Sequence, residues 1–111
     1  MSFKLIVRNT VSVPVKGVIS DEAGKPERFE FRLQCRRMGA DDLKATISKD
    51  SERSVIDFMA DVVQGWSGVM DDSGAAVPFD DDAARRLFDI AGVANLAFSS
   101  YLAENGAKEK N

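Results

Sequence analysis

In the stretch RFEFRLQCRR, Phe29, Phe31, Leu33 and Cys35 alternate with Glu30, Arg32, Gln34 and Arg36. A period of two puts one face in a core and the other in water, so the segment is predicted as a half-buried strand. Upstream, VSVPVKGVIS sets Val11, Val13 and Val15 on one face. Pro14 has no N–H for a ladder hydrogen bond, which sends this strand to a sheet edge or turns that position outward. Gly17 marks a candidate bulge before Val18 and Ile19. DEAGKP, at residues 21–26, carries the residue types of a tight turn and links the two runs as an antiparallel hairpin. SFKLIV, near the N-terminus, is a candidate third strand.

Beyond residue 40 the period changes. Asp41 is placed to cap a short helix reaching Ile47, and Asp50 or Ser51 to cap a longer one, with Glu52 in its first turn. Val55, Ile56, Met59, Val62 and Val63 then follow at steps of one, three and four, the stripe of an amphipathic helix. Ala83, Ala84, Leu87, Phe88 and Ala91 form a second stripe. Gly92 interrupts, and Val93, Ala94, Ala97, Phe98, Tyr101 and Leu102 form a third. GAKEKN, at the end, is polar and expected to fray. Strands followed by helices predict an α+β fold: an antiparallel hairpin or small sheet, then packed helices. The expected layout is a single domain over residues 1–111, strand-rich over 1–37, helical over 40–106, with a frayed tail at 107–111.

Residues 62–88, VVQGWSGVMDDSGAAVPFDDDAARRLF, join the first and second stripes. Gly65 falls where the first stripe ends and suits the left-handed conformation that closes helices. Trp66 would then fold back as an apolar cover, buried between the helix before it and the helix after Phe79. DDSG, at 71–74, has Asp first and Gly74 fourth, the preferred ends of a type I turn. Its flanks, WSGVM and AAVPF, could pair as a short hairpin. Pro78 keeps Val77 extended. Asp80 is a good N-cap, with Asp81 and Asp82 beside the positive end of the helix. The competing reading gives Asp71, Asp72, Asp80, Asp81 and Asp82 to Ca²⁺ or Mg²⁺ as oxygen ligands. Their spacing is not that of an EF-hand, so turn and cap roles are preferred.

Composition narrows the chemistry. With 44% hydrophobic and 30% charged residues in 111, the chain has the make-up of one soluble domain with a modest core. No run approaches the roughly 20 apolar residues of a membrane span, and MSFKLIV lacks the features of a signal peptide, which makes a cytoplasmic location the expectation. Residues 1–53 hold eleven Lys/Arg against eight Asp/Glu, a net +3, while residues 54–111 hold four against ten, a net −6. The basic half has no Lys/Arg block or interleaved aromatics, so nucleic-acid binding is disfavoured. There is no His and one Cys, which removes the commonest general base and any internal disulfide. Asp57 and Asp61 share a helix face but read as solvated; Ser99 and Ser100 have no His to activate them; Lys44 and Lys49 adjoin no nucleophile motif. Cys35 lies on an apolar strand face, where a thiol is inert. Gly65 and Gly68 are too sparse for a phosphate loop. No catalytic residue, metal site or cofactor is assigned, and the chain is read as a non-enzyme.

The run VVQGWSGVMDDSGAAVPF, an acidic helix start, Leu87-Phe88, and a closing helix with an aromatic residue and a Lys-Asn tail together resemble the tail assembly chaperones of long-tailed bacteriophages and prophages. The likeness covers residues 54–111, about half the chain, and rests on Gly65, Trp66, Gly74, Pro78, Phe79 and Asp80; VPVKGVI and FEFRL fit more loosely. The resemblance implies a binding role. Such chaperones hold the long helical tape measure protein soluble in the host cytoplasm while tail tube subunits polymerise, and are absent from the mature virion. In many of them a frameshifted longer form recruits the tail tube protein; self-association is left open. A helical partner calls for an apolar face, and the third stripe supplies a candidate in Val93, Ala97, Phe98, Tyr101 and Leu102. The alternative is a structural virion or host-interaction protein of a phage or prophage.

Overall fold

A computed structural model describes residues 9–49 and 54–106. The elements run β1 (Thr10–Ser20), β2 (Pro26–Arg36), α1 (Ala40–Lys49), α2 (Val55–Val62), β3 (Val63–Ser67), α3 (Asp81–Phe88) and α4 (Val93–Asn105). The strands form one antiparallel sheet in the order β1-β2-β3, and with the helices this is an α+β architecture; β3 is reached only after α1 and α2. The segments SFKLIV, Asp50 to Arg53 and the terminal residues 107–111 lie outside the described residues.

The alternation in β1 and β2 does what a period of two requires. Val13, Val15, Phe31, Leu33 and Cys35 are buried, and the intervening polar side chains face water or are only partly covered. Among the described residues β1 is an edge strand, where Pro14 costs no ladder bond. Its carbonyl accepts a hydrogen bond from the Ser100 hydroxyl of α4. Gly17 is not a bulge, because pairing is continuous from Thr10 opposite Arg36 to Ser20 opposite Pro26. Space is tight at this position: a Cβ there would meet Phe29 Cζ at 2.6 Å and Leu96 Cδ1 at 2.9 Å, so the ends of those two side chains would have to shift.

β3 departs from the expected division into a strand half and a helical half. α2 stops at Val62, and Val63 turns to extended backbone (φ −75°, ψ 136°) without a loop between. Val63 to Ser67 then pair along β2, with Trp66 opposite Leu33 and Gly65 opposite Gln34. The register shifts beside Gln34 and Cys35, so that Gln64 is the extra residue of a bulge. Gly65 is therefore a strand residue and does not close the helix. It has no positive φ. The open edge of β2 offers hydrogen bonds that a helix terminator here would forgo.

Helix starts also shift. α1 begins at Ala40, which puts Asp41 and Asp42 in its first turn instead of at the cap. α2 is capped by Ser54, whose Oγ accepts from the Asp57 amide at 3.1 Å, and not by Asp50 or Ser51. α3 keeps its expected cap, with Asp80 Oδ1 accepting from the Ala83 amide at 2.7 Å. It ends at Phe88, and Ala91 is exposed in the turn before α4, where Gly92 takes φ +88°. α4 packs along β1, and α2 touches both α3 and α4. The core joins the inner face of the sheet to Phe58, Met59, Val62, Phe88, Ala97 and Tyr101. Phe58 meets Phe98 and Tyr101 edge to face, at ring separations of 5.2 and 5.8 Å.

Candidate interaction surface

Of the five residues proposed to face a partner, three are core. Val93, Ala97 and Tyr101 are buried under the sheet and α2, because α4 spends that stripe on β1 and the core. Tyr101 is also anchored through its hydroxyl, which donates to the Arg36 carbonyl at 2.7 Å. Burial raises its pKa, with the nearby Cys35 adding to the effect. Phe98 is half-buried and Leu102 is exposed, so only these two keep surface.

The apolar surface lies mainly elsewhere. Val18 and Ile19 are adjacent, so they fall on opposite faces of β1, and both are exposed, at 59% and 45%. Ile19 shares the face of Val13 and Val15, and Val18 lies on the opposite face. Leu96, on the outer side of α4, is exposed at 42%. Val18, Ile19, Phe29, Ala91, Val93 and Leu96 line an open groove of about 370 Å³ between the outer part of the hairpin and the start of α4. Val93 thus belongs to the groove as part of its floor. Sequence reasoning passed over Val18, Ile19 and Leu96. The available signal was the apolar pair Val18-Ile19, which cannot both be buried in a sheet covered on one face.

The 62–88 segment forms a second, local structure. Met70 and Ala76 form a bridge, the Val77 amide donates to the Val69 carbonyl at 2.9 Å, and a short hairpin results. Gly74 closes its turn with φ +83°. Asp71 Oδ1 accepts from the Ser73 and Ala75 amides and from the Ser73 hydroxyl, at 2.9, 3.1 and 2.6 Å. The Ser73 hydroxyl, then these amides, hold the Asp71 carboxyl below its ordinary pKa. Trp66 is half-buried instead of enclosed between helices. Its Nε1 donates to the Val77 carbonyl at 2.8 Å, and its ring meets Phe79 edge to face at 5.1 Å. Pro78 lies between these two anchors, in non-helical chain leading to Asp80.

A third region gathers carboxylates, but with arginines. Asp57 Oδ1 pairs with Arg85 Nη1 at 2.9 Å, and Asp61 Oδ2 with Arg36 Nη2 at 3.1 Å, around a groove that also includes Asp81. These ion pairs link α2 to α3 and to β2. Among the described residues, no three His, Cys, Asp or Glu side chains converge on a point where a metal ion could sit. Burial pushes the Cys35 thiol up to about 12, so it stays protonated at neutral pH. No described helix is long and apolar enough to cross a membrane.

No protein-family model, no curated protein and no solved structure matches this chain.

Proposed function

We propose that this protein is a phage or prophage tail assembly chaperone, a non-enzymatic factor that binds the tape measure protein and keeps it soluble in the host cytoplasm. The reading rests on the resemblance of residues 54–111. The observation that supports it best is the exposed apolar groove of Val18, Ile19, Phe29 and Leu96. An amphipathic helix carries apolar side chains at steps of three and four, and such a stripe is recognised by an apolar groove or a complementary helix face. The docking face is therefore moved from the Tyr101 side of α4, which is core, to the Leu96 side and the hairpin. A longer form made by frameshifting would add contact with the tail tube protein.

Co-expression tests the proposal. The tape measure protein should move from the pellet to the soluble fraction, and the complex should survive moderate salt because its contacts are apolar. Ile19→Asp and Leu96→Asp should each abolish this rescue while leaving the melting temperature nearly unchanged, since both side chains are exposed. A tape measure protein that stays insoluble with this chain, or a fixed number of copies of the chain in purified tails, would refute the assignment. The second outcome would favour a structural component of the virion.

A further inference from the structure

Asn105 is the last residue of α4 and is followed by Gly106, which makes the chain's only Asn-Gly pair. It is also a buried polar residue, with 7% of its surface exposed. Its side-chain amide clasps the chain just after β2: the Met38 amide donates to Asn105 Oδ1 at 2.8 Å, and Asn105 Nδ2 donates to the Met38 carbonyl at 3.0 Å. Asn105 thus satisfies one residue's donor and acceptor as a neighbouring strand would. Arg37 Nη1 donates to the Asn105 carbonyl at 2.8 Å, and the Tyr101 hydroxyl holds the Arg36 carbonyl one turn earlier on α4. Together these bonds tie the end of α4 to the end of β2.

The same dipeptide has an intrinsic reactivity. Glycine lacks the Cβ that would shield its amide nitrogen. The Gly106 nitrogen, on losing its proton, can attack Asn105 Cγ. The Cγ–Nδ2 bond breaks, ammonia leaves, and a five-membered succinimide forms. Water then opens the ring to a carboxylate on either the normal or the isomerised backbone. No oxidant or cofactor is needed. The reaction requires Cγ to turn toward the following amide. In the fold Cγ is instead held at Met38 by both of its polar atoms, and the backbone of Asn105 is helical.

We propose that Asn105-Gly106 is a deamidation site gated by its own clasp: protected while the side chain grips Met38, and converted when the last turn of α4 opens. The conversion acts in one direction. The product has no Nδ2 donor for the Met38 carbonyl, and re-closing would set a carboxylate against that carbonyl in a buried position, which is strongly unfavourable. Each opening event therefore carries a chance of becoming permanent. This inference is independent of the assembly role.

The test uses the full chain, incubated in mildly alkaline buffer under native conditions and in urea above the unfolding transition. Peptide mapping by mass spectrometry follows each asparagine and separates the normal from the isomerised product. Asn105 should convert first in urea and at least about ten-fold more slowly in the native protein, as expected for a reaction that must wait for local opening. Gly106→Ala leaves room for the fold, since among the described residues the added Cβ meets nothing closer than the Leu102 carbonyl at 3.9 Å. It should slow conversion in urea. Tyr101→Phe should speed native conversion while leaving the rate in urea alone. The converted chain, separated by charge and returned to native buffer, should melt lower than the unconverted one. Equal rates in native buffer and urea, faster conversion at Asn9 or Asn95 than at Asn105 in urea, or an unchanged melting temperature after conversion would each overturn the proposal.

Discussion

Residues 21–25 and 71–75 build the same turn twice. In each, the aspartate Oδ1 accepts from the amides two and four residues on: Ala23 and Lys25 at 2.9 Å in the first, Ser73 and Ala75 at 2.9 and 3.1 Å in the second. Each glycine amide, of Gly24 and of Gly74, donates to its aspartate's carbonyl at 3.0 Å, and the two glycines take φ +80° and +83°. Yet the first turn closes two strands of 11 residues paired along their whole length, and the second closes a hairpin held by one bridge. The turn sets a reversal of the chain. It does not set how far pairing extends. The pairs beside residues 21–25 are exposed, but farther along, Val13 and Val15 on β1 and Phe31, Leu33 and Cys35 on β2 alternate with polar residues and are buried, with α4 packed on β1, so the long hairpin gains core contacts as it extends. Around 71–75 the flanks, Met70 and Ala76, are exposed. The short hairpin gains its anchoring from a distance, at Trp66, Val77 and Phe79.

Core substitutions should show the largest contrast. Leu33→Ala, in the fully buried part of the long hairpin, should cost about 2–5 kcal/mol in urea unfolding. Val77→Ala, at a half-buried site in the short one, should cost clearly less. Equal costs would mean that both hairpins belong to one core. Next comes the distant anchor. Trp66→Ala should cost about 2 kcal/mol, below the value for an enclosed aromatic because the ring is only half-buried. It should also remove hydrogen-exchange protection from the Val77 amide while sparing β1, and loss of protection in β1 would break the distinction.

The glycines test whether the turns are equivalent. Both have open space where a Cβ would project, so Gly24→Ala and Gly74→Ala should each cost about 1 kcal/mol, and by the same backbone mechanism. Unequal values would show that flanking structure strains one turn. The smallest effect concerns the one side-chain difference between them. Ser73 donates its hydroxyl to Asp71, whereas the equivalent position, Ala23, has none. Because the folded pKa of Asp71 is lowered, its contribution is present above the unfolded aspartate pKa and is lost as pH falls through the folded value. Ser73→Ala should raise the Asp71 pKa in an NMR titration and move that loss to higher pH. An unchanged titration would assign the shift to the backbone amides alone.

What could be read before folding was whatever depends on near neighbours. The reversal between β1 and β2, both Asp-to-Gly turns, the Asp80 cap and the Gly92 break all rest on contacts within a few residues, and each occurs where the residue types call for it. β3 was missed because VVQGW continues a helical stripe and holds too few residues to show alternation; only the free edge of β2 makes it a strand. The candidate docking residues were missed for a related reason. A stripe such as Val93, Ala97 and Tyr101 looks the same whether it faces a partner or the chain's own sheet.

The sequence by itself thus determined the strand period, the reversals and one helix start, since these follow from side-chain alternation and from backbone hydrogen bonds that short polar residues supply locally. Tertiary structure alone decided that VQGWS becomes a strand, that Tyr101 is core and Leu96 surface, and that Asn105 clasps Met38 across 67 positions. Those outcomes depend on which unsatisfied edges and apolar faces meet once distant segments pack, and no spacing along the chain records that meeting.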